Sequence, residues 1–451
     1  MTATRTDTTA IEQLAHRVWP LGKQREWHAR ASWHVLDWLA NAACGARTEQ
    51  GLAFERWLAL QAAGNRPTLA GRTADAAAAA AYHGALGSAL EMDDVHRSSV
   101  LHPGPVVIPA ALAAADAHSS GAQLLSALLV GYDTMIRVGR ALGPSHYRLW
   151  HTTATAGSFG AAAAASVMLG LDEAQGAQAL ALSGTRSGGL WQVRHESSLG
   201  KAWHMAGAAR EGLAAAQLAL CGLTGPLGVL DGPSGWFAAT ALEADVRCIA
   251  EARATPWLDD VSFKPWPACR HAHPAMDALA TALAGVSIAP DQIATISVGT
   301  YADALRFCQR VHPLDEQQAR FSIPHAVAAM VYWGEPKLAH YQAQSLNDLQ
   351  LAALRVRVTL HIDADIDARF PAHYGAHVVV QLRDGSRFEA ALQDTLGDPA
   401  RPMSPAAREA KAQMLLTAAG WGESRIRDAI AACTALPEAP SLDALSRVIC
   451  P

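Results

Sequence analysis

Lys201 is the most informative potential base in the sequence, because the chain of 451 residues has only five lysines. It begins an alanine- and leucine-rich stretch, 201–220, whose apolar spacing predicts a helix. On that helix Lys201 and His204 share a face, since residues three apart are neighbours. Cationic or apolar surroundings can lower the pKa of a lysine towards neutrality, which suits a general base at a carbon acid. A surface lysine that reaches into solvent is the competing interpretation.

A second potential site lies in the segment His151-Thr-Thr-Ala-Thr-Ala-Gly157, which leads into an alanine-rich helix. Threonines can cap that helix, and its free N–H groups and dipole would attract an anion. His151 would then lie at a helix start that favours negative charge. A core histidine with a satisfied hydrogen bond beside Trp150 is the alternative interpretation.

Carboxylates and histidines are concentrated in a third segment, which runs from residue 91 to residue 104. Such groups can supply acids, bases or hydrogen-bonding supports. The alternatives are a solvated helix end before a capped turn, and a metal site, although no regular ligand spacing supports a metal. The residues concerned are Glu91, Asp93, Asp94, His96 and His102, the last followed by Pro-Gly.

A fourth segment brings potentially cationic groups to a predicted domain boundary: Lys264, Arg270, His271 and His273. Clefts between domains are preferred locations for small-molecule sites, and this density of positive groups suits a substrate with several carboxylates. A surface loop rich in histidine and proline is the alternative.

These segments must be positioned by elements of two kinds. Helical patterns cover residues 1–264 and return in 401–451, whereas β-branched runs between them predict strands, including 293–301 and 354–362. An Asp-Gly turn at 384–385 predicts a hairpin of 378–382 with 387–391. We therefore expect a mainly α protein, in which a large helical domain is formed by both chain ends. A smaller α+β domain, 265–400, is inserted between them, and the segment 401–451 packs back on the first part.

Composition excludes several classes of protein. The net charge of −5 and the absence of Lys/Arg runs argue against a nucleic-acid partner. No apolar run reaches the length of a membrane span, and the N-terminus lacks the features of a secretory signal, so we expect a cytoplasmic protein. The seven scattered cysteines include no CxxC and indicate free thiols. Motifs for nucleotides and zinc proteases are missing, so no cofactor or metal is expected.

The four segments, in this order, resemble the MmgE/PrpD family, which includes 2-methylcitrate dehydratase, cis-aconitate decarboxylase and iminodisuccinate epimerase. Further matches are Gly131-Tyr-Asp with Ile136-Arg, Gly222-Leu-Thr-Gly-Pro226 and Phe321-Ser-Ile-Pro324. The resemblance covers about residues 11 to 435. It implies a homodimer, an active site in the cleft between the domains, and cofactor-free chemistry on a small polycarboxylate.

Carried over by motif, the residues that match the family's site are His102, His151, Lys201 and His273, with Asp93 and Asp94 in its acidic motif. Glu91 stands where the family usually has Asp. The dehydratases resemble one another in His-Pro-Ser-Asp-Asn, whereas this chain has His102-Pro-Gly-Pro-Val, which weakens that assignment.

The first hypothesis for the reaction is epimerisation of an iminodisuccinate-like dicarboxylate, with Lys201 opposed by Tyr147 or His151 as the two bases. Lys264, Arg270, His271 and His273 would then hold carboxylates. The alternative is a lyase, either a hydro-lyase or a decarboxylase on a citrate- or aconitate-like acid. A non-catalytic binding protein for polycarboxylates is a third hypothesis, and it would not exchange substrate protons with solvent.

Overall fold

A computed structural model describes residues 8–196 and 198–450. The chain divides into two compact units. Unit 1 comprises residues 1–89, 99–261 and 405–451, and unit 2 comprises residues 90–98 and 262–404. The predicted boundaries fell after residues 264 and 400, whereas the structure places them after Val261 and Ser404. It also assigns Leu90–Ser98, which the sequence placed in the first helical part, to unit 2.

The α-helices are, in chain order, α1 Ala10–Val18, α2 His28–Gly45, α3 Glu49–Leu58, α4 Ala76–Gly87, α5 Gly104–Ala114, α6 Gly121–Tyr147, α7 Thr152–Thr155, α8 Gly157–Met168, α9 Glu173–Gly184, α10 Lys201–Leu220, α11 Trp236–Thr240, α12 Arg247–Ala250, α13 His273–Ala282, α14 Ala302–Cys308, α15 Glu316–Arg320, α16 Ile323–Trp333, α17 Ala343–Leu346, α18 Leu349–Arg355, α19 Ala364–Asp367, α20 Pro405–Ala418, α21 Glu423–Thr434 and α22 Asp443–Ile449. Short 3₁₀ helices cover Trp19–Lys23, Arg25–Trp27, Trp191–Arg194, Trp257–Asp260, Arg270–Ala272, Pro290–Gln292, Leu338–Tyr341 and Leu436–Glu438.

The strands are β1 Arg66–Thr68, β2 Arg72–Ala74, β3 Val95–His96, β4 Val261–Ser262, β5 Ile293–Thr300, β6 Val358–Ile362, β7 Ala376–Leu382 and β8 Arg387–Leu392. The mainly α prediction is confirmed, with the small β1–β2 hairpin as an addition to the helices of unit 1. In the described residues no helix combines the length and apolar character that crossing a bilayer would need.

Three helices of unit 1 pack closely because small residues meet where they cross. Helix α8 lies against both α6 and α10, and its Ala161–Ala165 run is fully buried. A Cβ added at Gly131 of α6 would lie 2.9 Å from the Gly160 carbonyl oxygen, and one at Gly212 of α10 would lie 2.4 Å from the Ala161 Cβ. The small residues therefore set the distance of α8 from α6 and α10. This distance in turn determines the position of the first turn of α10.

Unit 2 is built on a four-stranded sheet of order β6-β5-β7-β8. Strands β5 and β6 are parallel, and the other neighbours are antiparallel. Helix α13 packs against β7 and β8, where alternate residues of β7 are buried. The predicted Asp-Gly hairpin is present, with Gly385 at a φ of 92°. The predicted strand 354–362 is wrong at its start, because Leu354 lies within α18. Asp348 caps the first turn of that helix.

Candidate functional site

The residues of unit 1 that were predicted to do chemistry lie on α10, at the end of α6, and in the segments that precede α5 and α7. Lys201 is the first residue of α10, and His204 follows one turn later. His151 directly precedes the short helix α7 and is 1% exposed. The backbone N–H of His102 donates to Thr153 Oγ1 at 3.2 Å, which places His102 beside α7.

The two imidazoles of His151 and His204 are in direct contact, with 3.0 Å between their Nδ1 atoms. Burial lowers the pKa of His151 well below 6.5, and positive charge on His204, Lys201, His102 and Arg194 lowers it further. Burial lowers the pKa of His204 to about 4, with Lys201 as a second cause. Both rings are therefore neutral at pH 7.

Two neutral imidazoles joined through Nδ1 share one proton, because one Nδ1 must donate and the other must accept. When His204 donates, the proton of His151 is on its Nε2, which is then a general acid. When His151 donates, its Nε2 is unprotonated and can act as a base. The pair can consequently present either an acid or a base at one ring nitrogen without any change in net charge.

Trp191 and Arg194, which the sequence reasoning missed, hold the outer side of His151. The ring centroids of Trp191 and His151 are 4.2 Å apart, and the Arg194 guanidinium lies 4.8 Å from the Trp191 centroid. An isolated bridge fixes this segment, because the His151 N–H donates to the Gly189 carbonyl and the Trp191 N–H donates to the Leu149 carbonyl. The sequence signal that could have identified them is an aromatic residue and an arginine three positions apart, shortly before Lys201.

Tyr147, predicted as a base opposite Lys201, ends α6 and lies edge-on to Trp191 with 5.6 Å between centroids. Its role as an acid or base stays a prediction. A cavity of about 260 Å³ opens beside His204 and is also lined by Ala154, Gly189 and Arg210. His204 thus connects a buried histidine to a space that can take a small molecule.

In unit 2, Lys264 is fully buried between two of the predicted acidic residues. Its Nζ lies 3.5 Å from Asp93 Oδ1 and 3.7 Å from Glu91 Oε2. Glu91 has a φ of 54°, which is uncommon for a residue other than glycine. Asp94 and His96 are buried in the same segment. Glu91 and Asp93 therefore hold a buried lysine, and a role of these carboxylates at a substrate stays a prediction.

Arg270 and His273, predicted to act on substrate, are engaged with each other and with the protein. The Arg270 guanidinium pairs with Asp398 and donates to the Leu396 carbonyl at 3.1 Å. It also lies 3.3 Å from His273 Nδ1, while His273 Nε2 donates to the Ala268 carbonyl at 3.0 Å. Both ring nitrogens of His273 thus have partners within unit 2, so its catalytic role remains a prediction.

His271 is packed in an aromatic cluster of unit 2. Its Nδ1 lies 2.8 Å from the Tyr301 hydroxyl, and its ring stacks on Phe307 and Tyr374. The sequence reasoning also missed Asp398, which meets both Arg270 and Arg97. Its position in a Gly-Asp-Pro segment gave little signal, because the pairing joins residues far apart in the chain.

Comparison with known proteins agrees with the motifs. The family model for the MmgE/PrpD N-terminal domain matches residues 13–249, and that for the MmgE/PrpD C-terminal domain matches residues 266–436. The chain is 29% identical over 342 residues to the cis-aconitate decarboxylase-like protein oryM of Aspergillus oryzae, covering 69% of this chain and 70% of that protein. It is 28% identical over 341 residues to the cis-aconitate decarboxylase of Homo sapiens, covering 72% and 69%. For the cis-aconitate decarboxylase of Mus musculus the identity is 27% over 344 residues, covering 72% and 69%.

Proposed function

This chain belongs to the MmgE/PrpD family, as its motifs predicted, and on that premise we propose that it is a lyase that decarboxylates an unsaturated polycarboxylate of the cis-aconitate type. The names of the three relatives support this alternative over the epimerase hypothesis. The structural observation that carries the proposal is the contact between His151 and His204, one helical turn from Lys201.

The proposed reaction needs a group that stabilises charge and a group that delivers a proton. The bond between carbon and one carboxylate breaks and CO₂ leaves. Both electrons of that bond stay with the rest of the molecule. The electron pair moves through the alkene to the carbon beside a second carboxylate, and a proton is added there. Preorganised positive charge next to that carboxylate lowers the barrier.

Lys201 is the residue that we assign to the carboxylate that gains charge, because its ammonium is the compact cation of this cluster. His151 is assigned as the acid, with its proton on Nε2 while Nδ1 accepts from His204. The transfer leaves the pair one proton short, and one proton taken from solvent at His151 Nε2 restores the starting state. The catalytic role of His102 stays a prediction.

The test of the reaction is proton NMR in D₂O with cis-aconitate, citrate, 2-methylcitrate and the iminodisuccinate isomers. We expect CO₂ release from cis-aconitate and a product with one solvent-derived deuterium on carbon. Exchange at Cα of iminodisuccinate with mixed diastereomers and no CO₂ would restore the epimerase. A new alkene from 2-methylcitrate or citrate without loss of a carboxyl would indicate a hydro-lyase, and binding without any exchange would indicate a binding protein.

Substitutions test the assigned residues in the same assay. Lys201→Ala should lower kcat by about 10²- to 10³-fold, the usual contribution of one preorganised group that stabilises charge in the transition state. His204→Ala removes one hydrogen bond from His151, and a net loss of about 0.5 to 1.5 kcal/mol corresponds to about a 2- to 12-fold lower kcat. The exposed Lys23→Ala is the matched control. Undiminished activity of Lys201→Ala would exclude this site.

A further inference from the structure

A second cavity in unit 1, of about 250 Å³, is lined by charged side chains that the proposed reaction does not use. Its wall is formed by Arg47 after α2, Glu55 of α3, the β1–β2 turn, Tyr82 of α4, and the pair Trp421 and Arg425. These elements come from both ends of the chain, which meet in unit 1.

The two guanidiniums on this wall are held by backbone carbonyls. Arg47 Nε donates to the Ala419 carbonyl at 3.1 Å, and Arg425 Nη2 donates to the Val448 carbonyl at 2.7 Å. Arg425 also lies flat on Trp421, 3.7 Å from the ring centroid. Burial lowers the pKa of Arg425, and the positive charge of Arg47 lowers it further.

The charged side chains on this wall are not joined to one another in ion pairs. Within 8–196 and 198–450, Arg47, Arg425 and Glu55 form no ion pair shorter than 4.0 Å. Because these oppositely charged side chains face one cavity without contacting each other, a bound ligand can contact both the arginines and the glutamate. The net charge of these three side chains is +1, which favours an anion.

Tyr82 supplies an independent observation. The side chain is fully buried and lines the cavity, yet its hydroxyl has no hydrogen-bond partner in the described part of the chain. Burial raises the pKa of this hydroxyl, so it stays protonated and can only be satisfied by an acceptor or a shared hydrogen bond. An unsatisfied buried hydroxyl costs stability, which an incoming acceptor would recover.

From these groups we infer that the cavity binds a small oxyanion that also carries a hydroxyl. Arg47 and Arg425 hold the anionic oxygens, the Tyr82 hydroxyl donates to one of them, and Glu55 accepts from the ligand's own hydroxyl. A hydroxycarboxylate and hydrogen phosphate share this chemistry. The site is separate from Lys201 and His151, and its existence does not depend on the reaction proposed above.

The experiment measures thermal unfolding of the full chain with L-malate or inorganic phosphate, since a ligand that binds the native state raises Tm. We expect one of these probes to raise Tm in the wild type, malate identifying a hydroxycarboxylate and phosphate identifying hydrogen phosphate. Tyr82→Phe should keep or raise the Tm of the ligand-free protein while weakening binding by about tenfold or more, as for loss of a hydrogen bond to a charged group.

Arg47→Gln provides a second variant, because Arg47 is exposed and its loss leaves the core intact. It should reduce the ligand-induced shift, whereas the exposed Arg56→Gln on the same helix as Glu55 should not. Shifts that are equal in the wild type, Tyr82→Phe and Arg47→Gln would mean that the probe binds elsewhere and would overturn the inference. Absence of any shift with both probes would overturn it as well.

Discussion

The Nδ1 contact between His151 and His204 makes the protonation of one ring depend on the other. A proton added at Nδ1 of the accepting ring places hydrogens on both facing nitrogens and removes the hydrogen bond, whereas a proton added at Nε2 of the donating ring leaves that bond in place. Lys201 opposes that protonation, because its charge lowers the pKa of both histidines. The lysine therefore acts on the pair even before it meets a substrate.

Replacing Lys201 by Ala should consequently raise the pKa of His204 above its value of about 4, since one of the two causes of the shift is removed. Histidine Cε1–H chemical shifts, followed by NMR from pH 7 down to pH 3.5, measure this directly. His325, whose pKa is lowered to about 4 by burial without a contribution from Lys201, is the internal control. Identical His204 titrations in the two proteins would contradict the electrostatic argument.

At the scale of elements, the position of Lys201 depends on how closely α10 approaches α8. Gly212 meets both the Ala161 side chain and the Ser158 carbonyl, where an added Cβ would come within 2.6 Å of the latter. By contrast, Gly207 on the same helix has open space around its missing Cβ. The two glycines thus separate packing effects from helix propensity.

Gly212→Ala should lower the free energy of unfolding by about 1 to 3 kcal/mol, as expected for an overpacked core, and should lower kcat by displacing α10. Gly207→Ala should raise stability by about 0.5 to 1 kcal/mol, because alanine is the better helix residue. Urea unfolding of both variants, with kcat measured on the same preparations, checks this. An unchanged free energy of unfolding in Gly212→Ala would show that α8 and α10 can move apart without loss of stability.

Elements with a strong local pattern could be predicted from the sequence. The helix 201–220 was predicted with the bounds that the structure gives, because its apolar spacing and its Gly-marked start are local signals. The strand predicted from 354 was wrong at its start, since Asp348 caps a helix through Arg355. The site was predictable only in part, because the bridge that seats Trp191 on His151 and the pairing of Lys264 with Glu91 join distant segments.

For the molecule as a whole, buried neutral histidines set the response to acid. Their folded pKa values lie below the unfolded value of about 6.5, so the unfolded chain binds more protons as pH falls from 6.5 towards 4. Stability is then fully present above pH 6.5 and is lost as pH falls through the folded values. The pKa is lowered to about 3 for His83 and to about 4 for His146, His204 and His325.

We therefore expect Tm to fall steeply between pH 6.5 and pH 4. Circular dichroism melts across this range measure the fall. His83→Gln should make the dependence shallower, because its ring is fully buried and its pKa is shifted by burial alone. A Tm that stays level down to pH 4 would show that these histidines are protonated in the native state.

The homodimer implied by the family resemblance remains a prediction at this scale. Unit 1 exposes large apolar side chains along and after α10, and such surfaces usually mark interaction sites. They are Trp203 at 45%, Leu218 at 46%, Leu220 at 50% and Leu223 at 49% exposure. Light scattering should give twice the chain mass of 47.5 kDa. Leu218→Lys should shift it towards the monomer, whereas Leu60→Lys should not, and a monomeric wild type would refute the prediction.

The fully buried alanine run of α8 also limits how this protein can vary. Any side chain larger than alanine at Ala161 must displace α10 or α6, since Gly212 and Gly160 already remove the last Cβ atoms from the crossings. A saturation mutagenesis screen would therefore find that positions on α8, none of which is assigned to the reaction, lose activity and abundance together. Tolerated substitutions at Ala161 should be restricted to glycine, so this position would be among the slowest to change in descendants of the sequence.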